Sequence, residues 1–138
     1  TMGIAIADVN GNQRPDIFTT NFSSDTNTLH LNDVSGFFDD RTKKYRLGLS
    51  SRSMLGWSCG FHDFDLDGDE DLEVVVGGYS SPSSSNQIFA INPDGSDVEG
   101  FPFVIGEKTK AGVALADFNN NGKDDIVVGT DDDNIYLI

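Results

Sequence analysis

Short apolar runs alternate with polar segments along the whole chain. The runs are rich in Val, Ile, Phe and Thr, and Asn, Asp, Gly and Ser separate them, a pattern typical of β-strands joined by turns. No window has the apolar spacing of an amphipathic helix. The predicted strands are 3–7, 16–21, 27–31 and 36–40, then 56–62, 71–77, 86–91 and 101–105, and finally 111–116, 125–129 and 134–138. The chain is therefore predicted to be all-β.

Three polar segments align without gaps and define a repeat. They are DVNGNQRPDI from Asp8, DFDLDGDEDL from Asp63 and DFNNNGKDDI from Asp117, at separations of 55 and 54 residues. A period of about 50 residues that holds four short strands is the signature of a β-propeller blade. We therefore predict a single partial β-propeller of four-stranded antiparallel sheets, about two and three-quarter blades, with blades at 1–50 and 51–106 and an incomplete blade at 107–138.

This length of chain is too short to close a propeller, because propellers usually have four to eight blades. An open stack of blades leaves strand edges exposed, and exposed edges invite pairing with other chains. We expect the remaining blades to come from neighbouring sequence in a longer parent chain or from other copies of this chain.

Oxygen-donor side chains recur at alternate positions of the three repeated segments. Positions 1, 3, 5 and 9 are Asp8, Asn10, Asn12 and Asp16 in the first loop, Asp63, Asp65, Asp67 and Asp71 in the middle loop, and Asp117, Asn119, Asn121 and Asp125 in the third. Position 7, occupied by Arg14, Asp69 and Lys123, can offer its backbone carbonyl. Six to eight hard oxygens suit Ca²⁺, and softer metals would need Cys or His, which the loops lack. The sequence predicts up to three calcium sites.

The distribution of charge supports cation binding. The net charge is −14, and the three loops carry −1, −6 and −2 of it in chain order. A merely solvated acidic surface would spread its charge rather than concentrate it at repeated positions. The acidity disfavours nucleic acid, and no segment has the ~18 consecutive apolar residues that indicate a membrane span.

The EF-hand is the closest alternative calcium motif, because it also begins D-x-D-x-D-G. It requires a bidentate Glu at position 12 and flanking helices. Position 12 is Thr19, Val74 or Val128 here, and the flanks are predicted strands. The EF-hand is therefore disfavoured.

An acidic turn that binds nothing remains an alternative, above all for the first loop. Gln13 stands there at position 6, where the other loops have Gly68 and Gly122. Arg14 adds a positive charge, and Pro15 stiffens the turn.

The pattern D-x-(D/N)-x-(D/N)-G-x-x-D-(L/I) between two strands resembles the FG-GAP and VCBS repeats of integrin-α-like calcium-binding β-propellers. The phrases GFFDDRTKKYRLGL at 36–49, GWSCGFHDFDLDGDEDL at 56–72 and INPDGSDVEGFPF at 91–103 resemble other parts of such blades. The resemblance implies a secreted or cell-surface protein whose calcium loops join the first and second strands of a blade and are structural. Extracellular modules also tolerate weak calcium sites.

Three functions remain open at this point. The first is a calcium-stabilised propeller for adhesion or protein interaction, the second a carbohydrate-directed propeller (a lectin or polysaccharide lyase module), and the third a purely architectural repeat. His30 and His62 are interpreted as structural, and the basic cluster of Lys43, Lys44 and Arg46 could meet acidic sugars or offset surface charge. No catalytic residue is assigned, and the chain is not predicted to be an enzyme.

Several other residues have both a structural and a functional interpretation. Asp39 and Asp40 could form an acid pair or lie in a solvated turn beside Arg41. The aromatic side chains could stack on sugars, but we expect them to fill the space between blades. They are Trp57, Phe61, Phe64, Phe101, Phe103 and Phe118.

The loop compositions predict calcium affinities in the order middle, third, first. Replacing the first aspartate of one loop at a time, as Asp8→Ala, Asp63→Ala and Asp117→Ala, assigns each site. Terbium luminescence titrations measure the affinities, and equal affinities for the three loops would contradict the ranking.

Overall fold

A computed structural model of the chain describes residues 2–34, 36–50, 52, 54–62, 73–80, 86–92, 94–109 and 112–138. In this part of the chain, three antiparallel sheets follow one another along the sequence. The first holds β1 (Gly3–Ala7), β2 (Asp16–Thr20), β3 (Thr28–Asn32) and β4 (Phe38–Asp40). A helical turn, α1 (Leu47–Ser50), follows. The second holds β5 (Met54–His62), β6 (Glu73–Ser80), β7 (Gln87–Ile91) and β8 (Phe103–Val104), and the third β9 (Val113–Ala116), β10 (Asp125–Gly129) and β11 (Ile135–Leu137).

The predicted strands all occur, and the prediction of an all-β chain with four-stranded antiparallel sheets is confirmed. Each sheet is a meander in which neighbours in sequence are neighbours in space, as in propeller blades. Within the described residues the sheets do not close into a barrel. Strand β8 has two residues instead of the predicted five, and α1 was not predicted, because a single four-residue turn carries no helical periodicity.

The first apolar core lies between the first and second sheets. Phe18 of β2 is 1% exposed, and its ring meets that of Phe61 edge-to-face at a centroid distance of 6.1 Å. The other buried members are Ala5, Val9, Leu29, Leu31, Leu47, Val76, Phe89 and Ile91. Cys59 packs against this core, and burial raises the pKa of its thiol to about 12, so the thiol stays neutral at physiological pH.

The second apolar core lies between the second and third sheets. Its buried members are Val75, Ile88, Ala90, Val98, Ile105, Ile126 and Val128. Because successive strand residues point to opposite faces, Val75 belongs to this core and its neighbour Val76 to the first. The middle sheet is therefore covered on both faces, which explains its continuous apolar runs, VVV in β6 and IFAI in β7.

The aromatic side chains follow the expectation only in part. Phe61 packs against the first core and Phe101 against the second. Phe103 and Phe118 are 36% and 56% exposed, so the prediction that they fill the space between blades was wrong. Phe103 lies on the short edge strand β8, and Phe118 lies in a loop beyond β9. Trp57 is half-buried outside both cores, and Phe64 lies outside the described residues.

Candidate metal centre

The first loop, between β1 and β2, is organised by its own side-chain oxygens. The carboxylate of Asp8 accepts hydrogen bonds from the backbone N–H of Asn12 at 3.1 Å and of Gln13. Asn10 Oδ1 accepts from Asn12 N at 3.1 Å, and Asn12 Oδ1 accepts from Arg14 N at 2.9 Å. The oxygens at positions 1, 3 and 5 therefore all turn toward the loop's interior backbone.

The third loop, between β9 and β10, has the same network. Asp117 accepts from the backbone N–H of Asn121 at 3.0 Å and of Gly122 at 2.9 Å. Asn119 Oδ1 accepts from Asn121 N at 3.0 Å, and Asn121 Oδ1 accepts from Lys123 N at 2.7 Å. The equivalence of positions 1, 3 and 5, expected from sequence alignment, is thus a structural equivalence in these two loops.

Two left-handed residues give both loops their shape. At position 4, φ is +69° for Gly11 and +58° for Asn120, and at position 6 it is +65° for Gln13 and +87° for Gly122. Gln13 therefore adopts the backbone of the glycine it replaces, and the first loop keeps the turn at the cost that a side chain imposes in this region. Position 4 was missed in the sequence, although Gly and Asn are the residues that most readily take positive φ.

In each of the two described loops, the aspartate at position 9 binds backbone N–H groups outside its own strand. Asp16 is fully buried, and its Oδ2 accepts from Val9 N at 3.0 Å while its Oδ1 accepts from Asn32 N at 2.7 Å. In the third loop, Asp125 Oδ2 accepts from Phe118 N at 2.9 Å. The carboxylate of Asp16 thus links the start of its loop to the end of β3, a structural role that is independent of any metal.

The two described residues at position 7, Arg14 and Lys123, are both cationic, and each donates its backbone N–H to the amide oxygen of position 5. The guanidinium of Arg14 donates to the backbone carbonyl of Asp33, beyond the end of β3. Its positive charge is therefore held against the segment that follows β3.

The middle loop lies outside the described residues, and with it the predicted ligands Asp63, Asp65, Asp67, Asp69 and Asp71. Its flanks are described: β5 ends at His62, and β6 begins at Glu73. His62 Nε2 lies 2.9 Å from Asp124 Oδ2, next to the position-9 aspartate of the third loop. The end of β5 is therefore in contact with the third loop.

The donor set of the two described loops fits a hard cation better than a soft one. Each loop offers carboxylate and amide oxygens, and no sulfur or imidazole lies within it. Among the described residues, no three side chains of His, Cys, Asp or Glu lie together in a group that could hold a metal ion. A cation in the first or third loop would therefore depend on amide and backbone carbonyl oxygens as well as on carboxylates.

The other candidate chemical groups are paired structurally. Asp39 forms an ion pair with Arg41 at 2.9 Å. Asp40 lies on the opposite face of β4, and hydrogen bonds from Thr42 lower the pKa of its carboxyl. The two carboxylates do not form an acid pair, because successive strand residues point to opposite faces.

The sheets and loops together define a repeat protein in which each unit is an antiparallel sheet with a polar loop between its first two strands. The family model for the FG-GAP-like repeat matches residues 8–72 and 65–128. The chain belongs to the FG-GAP-like repeat family, as its resemblance to FG-GAP repeats predicted. Neither the curated proteins nor the solved structures include a significant match. No helix in the described part of the chain is long and apolar enough to cross a membrane.

Replacing Asp16 by alanine should destabilise the protein even in the presence of a chelator. Two N–H groups lose their acceptor, at about 1–3 kcal/mol each, so we expect a loss of about 2–6 kcal/mol in the free energy of unfolding. Urea denaturation measures it. Asp25→Ala is the control, because Asp25 is exposed and its carboxylate accepts from the backbone N–H of the adjacent Thr26. Equal losses for the two variants would contradict the role of Asp16.

Proposed function

We propose that this chain is a calcium-binding segment of an extracellular propeller used for adhesion or protein interaction, and that its calcium ions are structural. The observation that carries the proposal is the shared hydrogen-bond network of the first and third loops. Two segments 109 residues apart, with different side chains at positions 4, 6 and 7, hold the same oxygen donors in the same way. In both loops the oxygens at positions 1 and 3 accept from the same backbone N–H and therefore lie close together, as the ligands of one cation would.

The residues that would hold calcium are those at positions 1, 3, 5 and 9, with the position-7 carbonyl. In the first loop these are Asp8, Asn10, Asn12 and Asp16, and in the third Asp117, Asn119, Asn121 and Asp125. Asp8 Oδ1 accepts from the backbone N–H of both Asn10 and Asn12. The other oxygens that accept a backbone N–H each accept one and retain a lone pair, so these bonds orient the donors without consuming them. The bound ion would connect two strands of one sheet and neutralise the carboxylates.

Charge, rather than loop geometry, supports the ranking of the three sites. Because Gln13 takes the left-handed backbone of Gly122, the missing glycine does not distort the first loop. The net charges of −6, −2 and −1 for the middle, third and first loops remain as the basis for the order of affinity. The affinity of an oxygen site for calcium depends on the number of charged ligands.

The extracellular location is proposed from the calcium chemistry. Sites that use amides in place of carboxylates are weak, and weak sites are useful where calcium is abundant. The proposed partner is a protein ligand, and its binding surface would lie away from the loops, because the loop oxygens face the loop backbone.

Calcium should raise the thermal stability of the protein. Extracellular calcium modules have dissociation constants of ~10⁻⁴–10⁻³ M. At about 10 mM Ca²⁺, which is about ten to one hundred times these values, each occupied site adds about 1.4–2.7 kcal/mol to the free energy of unfolding. Differential scanning calorimetry in calcium, magnesium and chelator measures the shift. Asp117→Ala should reduce it, whereas the exposed Asp132→Ala should not. Identical melting temperatures in calcium and in chelator would contradict the proposal.

A second candidate function is the recognition of acidic glycans, and one cavity favours it. Thr26, Asp40, Thr42, Lys43, Arg46 and Gly48 line a cavity of about 380 Å³. Two of the three residues in the predicted basic cluster therefore share one concave surface, where cations can meet carboxylate or sulfate groups. The third, Lys44, instead lies over the ring of Tyr45, at 5.2 Å from its centroid.

An array of acidic and neutral glycans, read in calcium and in chelator, tests this candidate. Binding of acidic glycans that is lost in Lys43→Ala and Arg46→Ala but kept in Lys44→Ala would support it. The Lys44 variant is the matched control, since it removes the same charge outside the cavity. A wild-type array without signal would exclude it in favour of protein interaction.

A further inference from the structure

The two ends of the stack of sheets expose apolar side chains. On the outer face of the first sheet, Ile4 and Ile6 of β1 are each 63% exposed. On the outer face of the third sheet, Ile135 and Leu137 of β11 are 77% and 58% exposed. Large apolar side chains that cluster on a sheet face are a cost in water and mark an interaction surface. We call these surfaces the front face and the back face.

The repeat shows what the front face is built to contact. With the spacings of 55 and 54 residues, the front-face residues have counterparts in the other two sheets. The counterparts of Ile4 are Cys59 and Val113, and those of Ile6 are Phe61 and Leu115. All four counterparts pack against an apolar core, Cys59 and Phe61 toward the first sheet, and Val113 and Leu115 toward the second. In the second and third sheets, the face that corresponds to the front face therefore packs against the preceding sheet.

The back face corresponds to the opposite side of a sheet. Val127 pairs with Leu137, and Gly129 pairs with Ile135, so these residues lie on the same face. Ile126 and Val128 of the same strand are buried on the other face, against the second sheet. The counterpart of Val127 in the first sheet is Phe18, which is buried against the following sheet. The back face is therefore the side that receives the next sheet.

We propose that a second copy of this chain docks head to tail, with the back face of one copy against the front face of the other. The two contacts already present in the molecule, first sheet to second and second to third, are both of this front-to-back kind. A further contact of the same kind needs no new surface chemistry. The interface is heterologous, because two different faces meet, and it does not depend on the proposed calcium function.

The composition of the front face locates the contact. Ile4 pairs with Thr19 and Ile6 with Ile17, so β1 and β2 carry the apolar part of this face. Thr28 and His30 of β3 pair with Thr19 and Ile17, and they make the other side polar. The contact is therefore centred on β1 and β2. Because the net charge of −14 repels copies from one another, association should strengthen as salt screens that repulsion.

Sedimentation velocity of the 138-residue chain over a range of concentrations tests the proposal. Wild type should associate above its monomer mass of 14.9 kDa, and more so at higher ionic strength. Ile6→Lys on the front face and Leu137→Lys on the back face should each be monomeric alone, because each lacks one half of the interface. The matched control is Val34→Lys, at a residue 86% exposed outside both faces, which should associate as wild type does.

Mixing the two monomeric variants gives the decisive result. Each keeps the half that the other lacks, so an equimolar mixture should form a one-to-one dimer and no larger species. A mixture that stays monomeric, a wild type that stays monomeric, or one variant that still dimerises alone would overturn the head-to-tail contact. Far-UV circular dichroism establishes that the variants fold, and Ile4→Lys and Ile135→Lys replace any that does not.

Discussion

The structure depends on apolar packing between neighbouring sheets. A β-sheet presents two faces, and in this chain the second sheet buries both, one against the first sheet and one against the third. Adjacent residues of a single strand, Val75 and Val76, therefore belong to different cores. A one-residue slip in register would exchange the two sets of side chains. The stacking of sheets and the register of each strand are consequently one constraint rather than two.

The polar loops are compatible with this constraint because they satisfy their own backbone. In the first and third loops, side-chain oxygens accept the N–H groups that the turn leaves without strand partners. Asp16 extends the network to β3 and is fully buried with both of its oxygens bonded. The same side chains that would coordinate a cation thus also stabilise the turn. A loop with fewer charges, such as the first, can retain its shape when its affinity for a cation is low.

Prediction from sequence succeeded where the signal was local and repeated. Alternation of apolar and polar residues located the strands, and the aligned aspartates and asparagines located the loops. Prediction failed where neighbouring sheets decide whether a side chain is buried. Phe103 and Phe118 have the same side chain as Phe61, which packs against the first core, yet they are exposed. Burial depends on whether another sheet faces the residue. The sequence also did not predict the left-handed backbone of Gln13, because glutamine has no preference for positive φ.

The sequence alone determined the all-β class, the repeat of about 55 residues and the positions of the polar loops, since each of these is written in the order of residues along the chain. Only the tertiary structure decided which face of each sheet is covered. Ile4 and Val113 occupy equivalent positions, but one is exposed and the other packs against a core. Their difference arises from the place of each sheet in the stack, because burial is a property of the contacts around a residue and not of the residue itself.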